Sequence, residues 1–184
     1  METESTSPAI LVIIVAILAL AALFTLLEYS LIKVRPTELR TMKQTRKIKR
    51  ALHMSQNLNE YLSTTQVGTT LVGVILGWFG ADAIASIFER LLALTPMSKN
   101  LVNSVGALIG VIALTYLEVV LTEVVPKNIA IDAPVKMLMW IVNPLQLFHT
   151  LVYPFVWLLN VSSSGILKML GFNPADEENQ VYSQ

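Results

Sequence analysis

From Ala9 to Leu27 the chain runs nineteen residues with a single polar side chain, Thr25. A helix of that length extends about 28 Å, close to the roughly 30 Å of a bilayer's hydrocarbon core. The run is too long for the apolar region of a secretory signal, and the residues before it are acidic rather than basic. It therefore reads as a retained first membrane helix, with Ser7 as N-cap and Pro8 at the first helical position. The helix is expected to continue through Glu28 and Ser30 to Val34. Composition agrees: 54% of the residues are apolar and 14% charged, against about 25% charged in soluble domains.

Seven of the thirteen basic residues lie between Arg35 and Gln56 (Arg35, Arg40, Lys43, Arg46, Lys47, Lys49 and Arg50), against one acid, Glu38. The positive-inside rule puts that loop in the cytoplasm and the N-terminus outside. A basic connector of this kind also suits anionic lipid headgroups. A second span is read from Tyr61 to Phe79, where Thr65, Thr69, Gly73 and Gly77 recur every four residues as a small-residue stripe. Ala81 to Lys99 reads as a short external amphipathic element. A third span runs from Leu101 to Val125, with Gly106 and Gly110 as a further close-packing motif, and ends at Pro126-Lys127. Val135 to Leu170 is apolar but interrupted by Pro144 and Pro154, which predicts short helices at the cytoplasmic face anchored by Trp140, Tyr153 and Trp157. The fold class expected is thus an all-α membrane protein with three transmembrane helices and short cytoplasmic-side juxtamembrane helices. Residues 1–172 form the membrane domain; residues 173–184 read as the start of a cytoplasmic linker.

Absent cysteine and only two histidines, His53 and His149, argue against a disulfide framework or a zinc centre. Zero formal net charge argues against a nucleic-acid partner. No nucleophile–base pair or phosphate loop is found, so an enzyme is not expected and no catalytic residue is assigned.

Three acids fall inside the spans: Glu28, Glu118 and Glu123. Each costs about 2.5 to 3.5 kcal/mol there, and no basic residue within a span is available to neutralise them. A cation answers that cost. Thr25, Glu28, Thr65, Gln66, Thr69, Glu118, Thr122 and Glu123 all fall roughly 3 to 15 Å from the cytoplasmic helix ends, counted along the helices. Carboxylate, hydroxyl and carbonyl oxygens suit a hard cation such as magnesium. Pro126 has no N–H, which frees the Thr122 carbonyl beside Glu123. An ideal helix sets Glu118 and Glu123 about 140° apart, so one of them, with Glu123 favoured, lines the site. Two plainer readings stand beside this one: the threonines bond their own backbone or a neighbouring helix, and Glu28 is a protonated structural acid.

Four stretches resemble the transmembrane domain of the CorC/HlyC family, related to the cyclin M (CNNM) magnesium transporters. Phe24-Thr25-Leu26-Leu27-Glu28-Tyr29-Ser30-Leu31-Ile32-Lys33-Val34-Arg35 resembles F-x-x-x-E-x-A-L-x-x-V-R. Tyr61 to Leu71 resembles Y-L-S-x-x-Q-x-G-x-T-L, and Glu123-Val124-Val125-Pro126-Lys127 matches E-x-V-P-K. Tyr153 to Asn160 looks like the closing juxtamembrane segment. The resemblance implies a homodimer in the lipid bilayer of the cell membrane and a cytoplasmic C-terminus. It also implies a magnesium site that includes Glu123 and Thr25, and a continuation into CBS domains that this sequence lacks. Where the better-studied branch carries Asn in the second helix, this chain has Thr69 and Gly73; Thr122 replaces the Gly before Glu123. The function implied is magnesium transport, outward and coupled to sodium. The alternative is an ion-binding sensor or scaffold that does not transport.

Overall fold

The computed structural model describes residues 8–172, so Ser7 and the linker segment 173–184 lie outside the described residues. Its elements are α1 (Pro8–Lys33), α2 (Pro36–Thr41), α3 (Arg46–Gln56), α4 (Leu58–Leu92), α5 (Lys99–Glu118), a π turn (Val119–Val124), α6 (Val125–Asp132) and α7 (Pro134–Met169). No strand occurs among the described residues. The all-α membrane architecture read from the sequence holds.

Local chemistry explains the breaks at the basic loop. Arg35 precedes a proline and takes extended backbone (φ −88°, ψ 127°), which ends α1 and starts α2 with Pro36. Thr45 caps α3 by accepting the Ile48 N–H at 3.3 Å. One face of α3 buries Ile48, Ala51 and Met54 in a core shared with α1 and α7. Its basic residues stay exposed.

Two expectations are corrected. Ala81 to Leu92 is not a separate external element: α4 continues through Asp82, Glu89 and Arg90 as one helix of 35 residues. At about 52 Å that helix outreaches the hydrocarbon core, so its charged end projects beyond the hydrocarbon. Likewise Val135 to Leu170 is not a set of short helices. It is almost wholly contained in α7, with Pro144 and Pro154 inside it. Each proline removes one backbone hydrogen bond, but ending the helix there would strip several more donors and acceptors beside lipid.

Among the described residues four helices are therefore long and apolar enough to cross a membrane, against three expected. Contacts set the fourth apart. Gln146, His149 and Asn160 of α7 span about 21 Å of helix. Their partners on α4, Glu60, Tyr61, Ser63 and Thr64, occupy little more than one turn. Helices running side by side would have spread those partners over a matching length. Instead α7 crosses α4 at the end of the bundle that carries the basic loop, where Arg50 of α3 also donates to Asn143 Oδ1 at 2.7 Å.

The small-residue motifs divide. Gly110 sits so close to Ala85 that an added Cβ would lie 2.6 Å from its Cα, and Gly106 abuts Glu89 in the same way. With Gly80 against Leu114, these pairs fix α4 and α5 as an antiparallel hairpin. Gly77 faces open space and Gly73 meets only Glu118, so within the single chain no other helix packs on the Gly73/Gly77 stripe. Gly68 makes the close approach on that helix, against the Phe24 ring of α1.

Candidate cation site

Pairwise contacts bring the sequence-named residues to a shared stretch of about 13 Å along α4. Phe24 of α1 lies against Gly68 of α4, which sets Thr25 and Glu28 beside the turns holding Thr65 and Thr69. From the other side, the Glu118 carboxylate reaches Gly73, with Oε1 3.9 Å from where a Cβ would stand. A Cβ at that glycine would make only ordinary van der Waals contact with the acid. α1 also packs on the π turn and on α6, closing the level from a third side.

Burial sorts the set. Thr25, Thr65 and Thr122 are buried; Glu28, Thr69 and Glu118 are half-buried; Glu123 is exposed on the single chain. Glu123 lies within electrostatic reach of both Glu28 and Glu118, so it is the acid the other two share. Among the described residues no three carboxylate or imidazole side chains converge closely enough to hold a metal. Any ion at this level would need hydroxyl and carbonyl oxygens besides.

Those oxygens are oriented. Thr65 donates to Leu62 O at 2.8 Å, Thr69 to Gln66 O at 3.0 Å and Thr122 to Glu118 O at 2.8 Å. Each hydroxyl thus spends its proton on its own helix, as the plainer reading held, and keeps its lone pairs for another partner.

The π turn changes the expected geometry of the acids. Here Val125 N–H bonds Val120 O, five residues back. A π turn winds less per residue than an α-helix, so it brings Glu123 nearer the azimuth of Glu118 than the about 140° of an ideal α-helix. The two acids therefore point less far apart than the ideal-helix spacing sets them. The same turn adds a carbonyl. Pro126 offers no N–H to Thr122 or Leu121, and the Val125 N–H is taken by Val120, so Leu121 O loses its helical donors as well. Two adjacent carbonyls, rather than the one expected from the proline, lack the donor that position 126 would supply. Single π turns inside α-helices concentrate at functional sites.

Sequence reasoning missed two contacts near this level. Lys127 lies 4.9 Å from the centre of the Tyr29 ring and ties α6 to α1. His149, passed over as an isolated histidine, is 94% buried between Thr64 and Glu60. The i, i+4 spacing of Glu60 and Thr64 was visible in the sequence, but nothing local placed residue 149 beside them.

A family model described as the cyclin M transmembrane N-terminal domain matches residues 12–184. UPF0053 protein YugS of Bacillus subtilis is 29% identical over 176 residues, covering 95% of this chain and 41% of the relative. UPF0053 protein YhdT of the same organism is 31% identical over 177 residues, covering 95% and 38%. In Synechocystis, UPF0053 protein sll0260 is 30% identical over 164 residues, covering 86% and 36%. The chain thus spans about two fifths of the length of the curated relatives it matches.

Proposed function

Since the chain belongs to the cyclin M transmembrane family, we propose that it moves a divalent cation, magnesium, across the cell membrane at the level where α1, α4 and the π turn meet. One observation supports the reading: three helices carry Thr25, Glu28, Thr65, Thr69, Glu118, Thr122 and Glu123 along a shared stretch of about 13 Å, beside two carbonyls that Pro126 leaves without its N–H. The donors are all oxygen, the ligand chemistry of a hard cation. Magnesium sheds its water reluctantly, so Glu123 supplies the negative charge and the hydroxyls and carbonyls replace part of the hydration shell.

The reading extends to a homodimer, in which the exposed Glu123 is covered by a second copy, and to a cytoplasmic basic loop with the N-terminus outside. Outward movement and sodium coupling rest on the family resemblance alone. Thermal unfolding with and without magnesium tests the site. Glu123→Gln is expected to abolish the magnesium-dependent shift, and full retention of the shift removes Glu123 from it. Magnesium flux in proteoliposomes tests transport: a retained thermal shift without flux replaces the transporter by the ion-binding sensor. Reversing the sodium gradient then tests coupling.

A further inference from the structure

The junction of α4 and α7 holds a second polar centre, apart from the cation level. His149 Nε2 lies 2.9 Å from Glu60 Oε1, and His149 Nδ1 lies 2.8 Å from Thr64 Oγ1. Thr64 Oγ1 also lies 2.9 Å from the Glu60 carbonyl oxygen, to which it donates. Around the imidazole stand the Tyr61 ring, with centroids 4.5 Å apart, and the Tyr153 ring, at 5.6 Å. Tyr61 in turn donates to Gln146 Oε1 at 3.0 Å and meets the edge of the His53 ring at 6.2 Å.

Counting protons decides what this arrangement is. With Thr64 Oγ1 donating to the Glu60 carbonyl, its single hydroxyl proton is not available to Nδ1. The hydroxyl must then accept from Nδ1–H. At the other ring nitrogen, a proton must lie between Nε2 and the carboxylate, since two lone pairs at 2.9 Å repel. Neutral histidine beside ionised glutamate supplies one proton for these two positions. The geometry uses two.

We propose that His149, Glu60 and Thr64 form a proton-binding site that clamps α7 onto the first turns of α4 and loosens when the proton leaves. With the proton bound, every hydrogen bond in the set is made. After it leaves, either Nε2 faces the carboxylate lone pair to lone pair, or Nδ1 draws the Thr64 hydroxyl away from the Glu60 carbonyl. The first removes an α4–α7 hydrogen bond; the second keeps both and loses the positive charge that strengthens the Nε2–carboxylate pair. The clamp lies one residue from Thr65, so proton occupancy reaches the edge of the cation level without a shared ligand. Among the described residues, the titratable groups facing His149 are Glu60 and Tyr61 from α4 and Tyr153 from α7; His53 of α3 stands behind Tyr61.

The test is hydrogen–deuterium exchange of the 184-residue chain in lipid nanodiscs from about pH 5 to pH 8, the range in which histidine changes charge. Rates are corrected for the intrinsic pH dependence of exchange. Protection of residues 144–160 is expected to fall about tenfold toward the alkaline end, the loss of one charge-assisted hydrogen bond. His149→Gln and Glu60→Gln are expected to abolish that dependence. A flat wild-type profile, or an unchanged slope in His149→Gln, overturns the proposal. Should the variants fail to fold, ¹⁵N spectra of the imidazoles in a His53→Gln background read the protonation of His149 directly. Acid-side protonation of both ring nitrogens, or of Nδ1 with a protonated Glu60, supports the site; a single neutral tautomer beside an ionised Glu60 throughout refutes it.

Discussion

Replacing Gly110 by alanine adds one methyl group where Ala85 of α4 already stands. The new Cβ would lie 2.6 Å from Ala85 Cα and 2.7 Å from its N. Both are backbone atoms in the middle of a helix, so neither can rotate away and the two helices must separate. Overpacking of this kind costs about 1 to 3 kcal/mol. Alanine regains about 1 kcal/mol of helix propensity over glycine, leaving a net loss of roughly 0 to 2 kcal/mol. Gly77→Ala is the control, because a Cβ there meets nothing within 4 Å; only the propensity gain remains. The difference between the two variants is therefore about 1 to 3 kcal/mol. At roughly 2 to 4 °C per kcal/mol for a chain of this length, Gly110→Ala should melt several degrees below Gly77→Ala. Circular dichroism at 222 nm in one detergent, with magnesium absent, reads both. Equal melting temperatures would refute the claim that Gly110, and not Gly77, sets the helix separation.

Ser30→Ala is expected to leave stability unchanged or raise it by about 1 kcal/mol, because the Ser30 hydroxyl is fully buried with no hydrogen-bond partner; the same melting experiment decides it. Thr65→Val keeps the shape but removes the oxygen, so it should shift apo stability by about 1 kcal/mol at most while weakening magnesium-dependent stabilisation. An undiminished magnesium shift would take Thr65 out of the site. Lys127→Gln should lose about 0.5 to 1 kcal/mol from the contact with Tyr29, and Tyr29→Leu in the same background should add little of its own, a double-mutant cycle being the measure.

The all-α class and the starts of the spans were legible because lipid imposes long apolar runs that need no tertiary information. The same rule misled at the proline-bearing segment: composition treats Pro144 as an end, while a continuous helix keeps more backbone groups satisfied beside lipid. Site residues were legible as an inventory, since acids and hydroxyls in hydrocarbon are conspicuous. Their arrangement was not. How far apart Glu118 and Glu123 point depends on the π turn between them, which no spacing rule encodes. Gly73 and Gly110 look alike in sequence, each opening or closing a four-residue glycine repeat, yet a Cβ would fit at the first and would collide with a helix backbone at the second. His149 was invisible because its partners lie 85 and 89 residues away along the chain.

Because α7 lies athwart α4 and is gripped near its middle, it has the mechanics of a lever resting on a fulcrum. Ser63 bonds Asn160 and Thr64 bonds His149, so the fulcrum touches α4 immediately before Thr65. A sideways push on the far arm, beyond Asn160, would arrive at those two hydroxyls as a small rotation of the helix that carries Thr65 and Thr69. Displacement outside the bundle could thus be geared down into movement within it, shared with α1, on which α7 also packs.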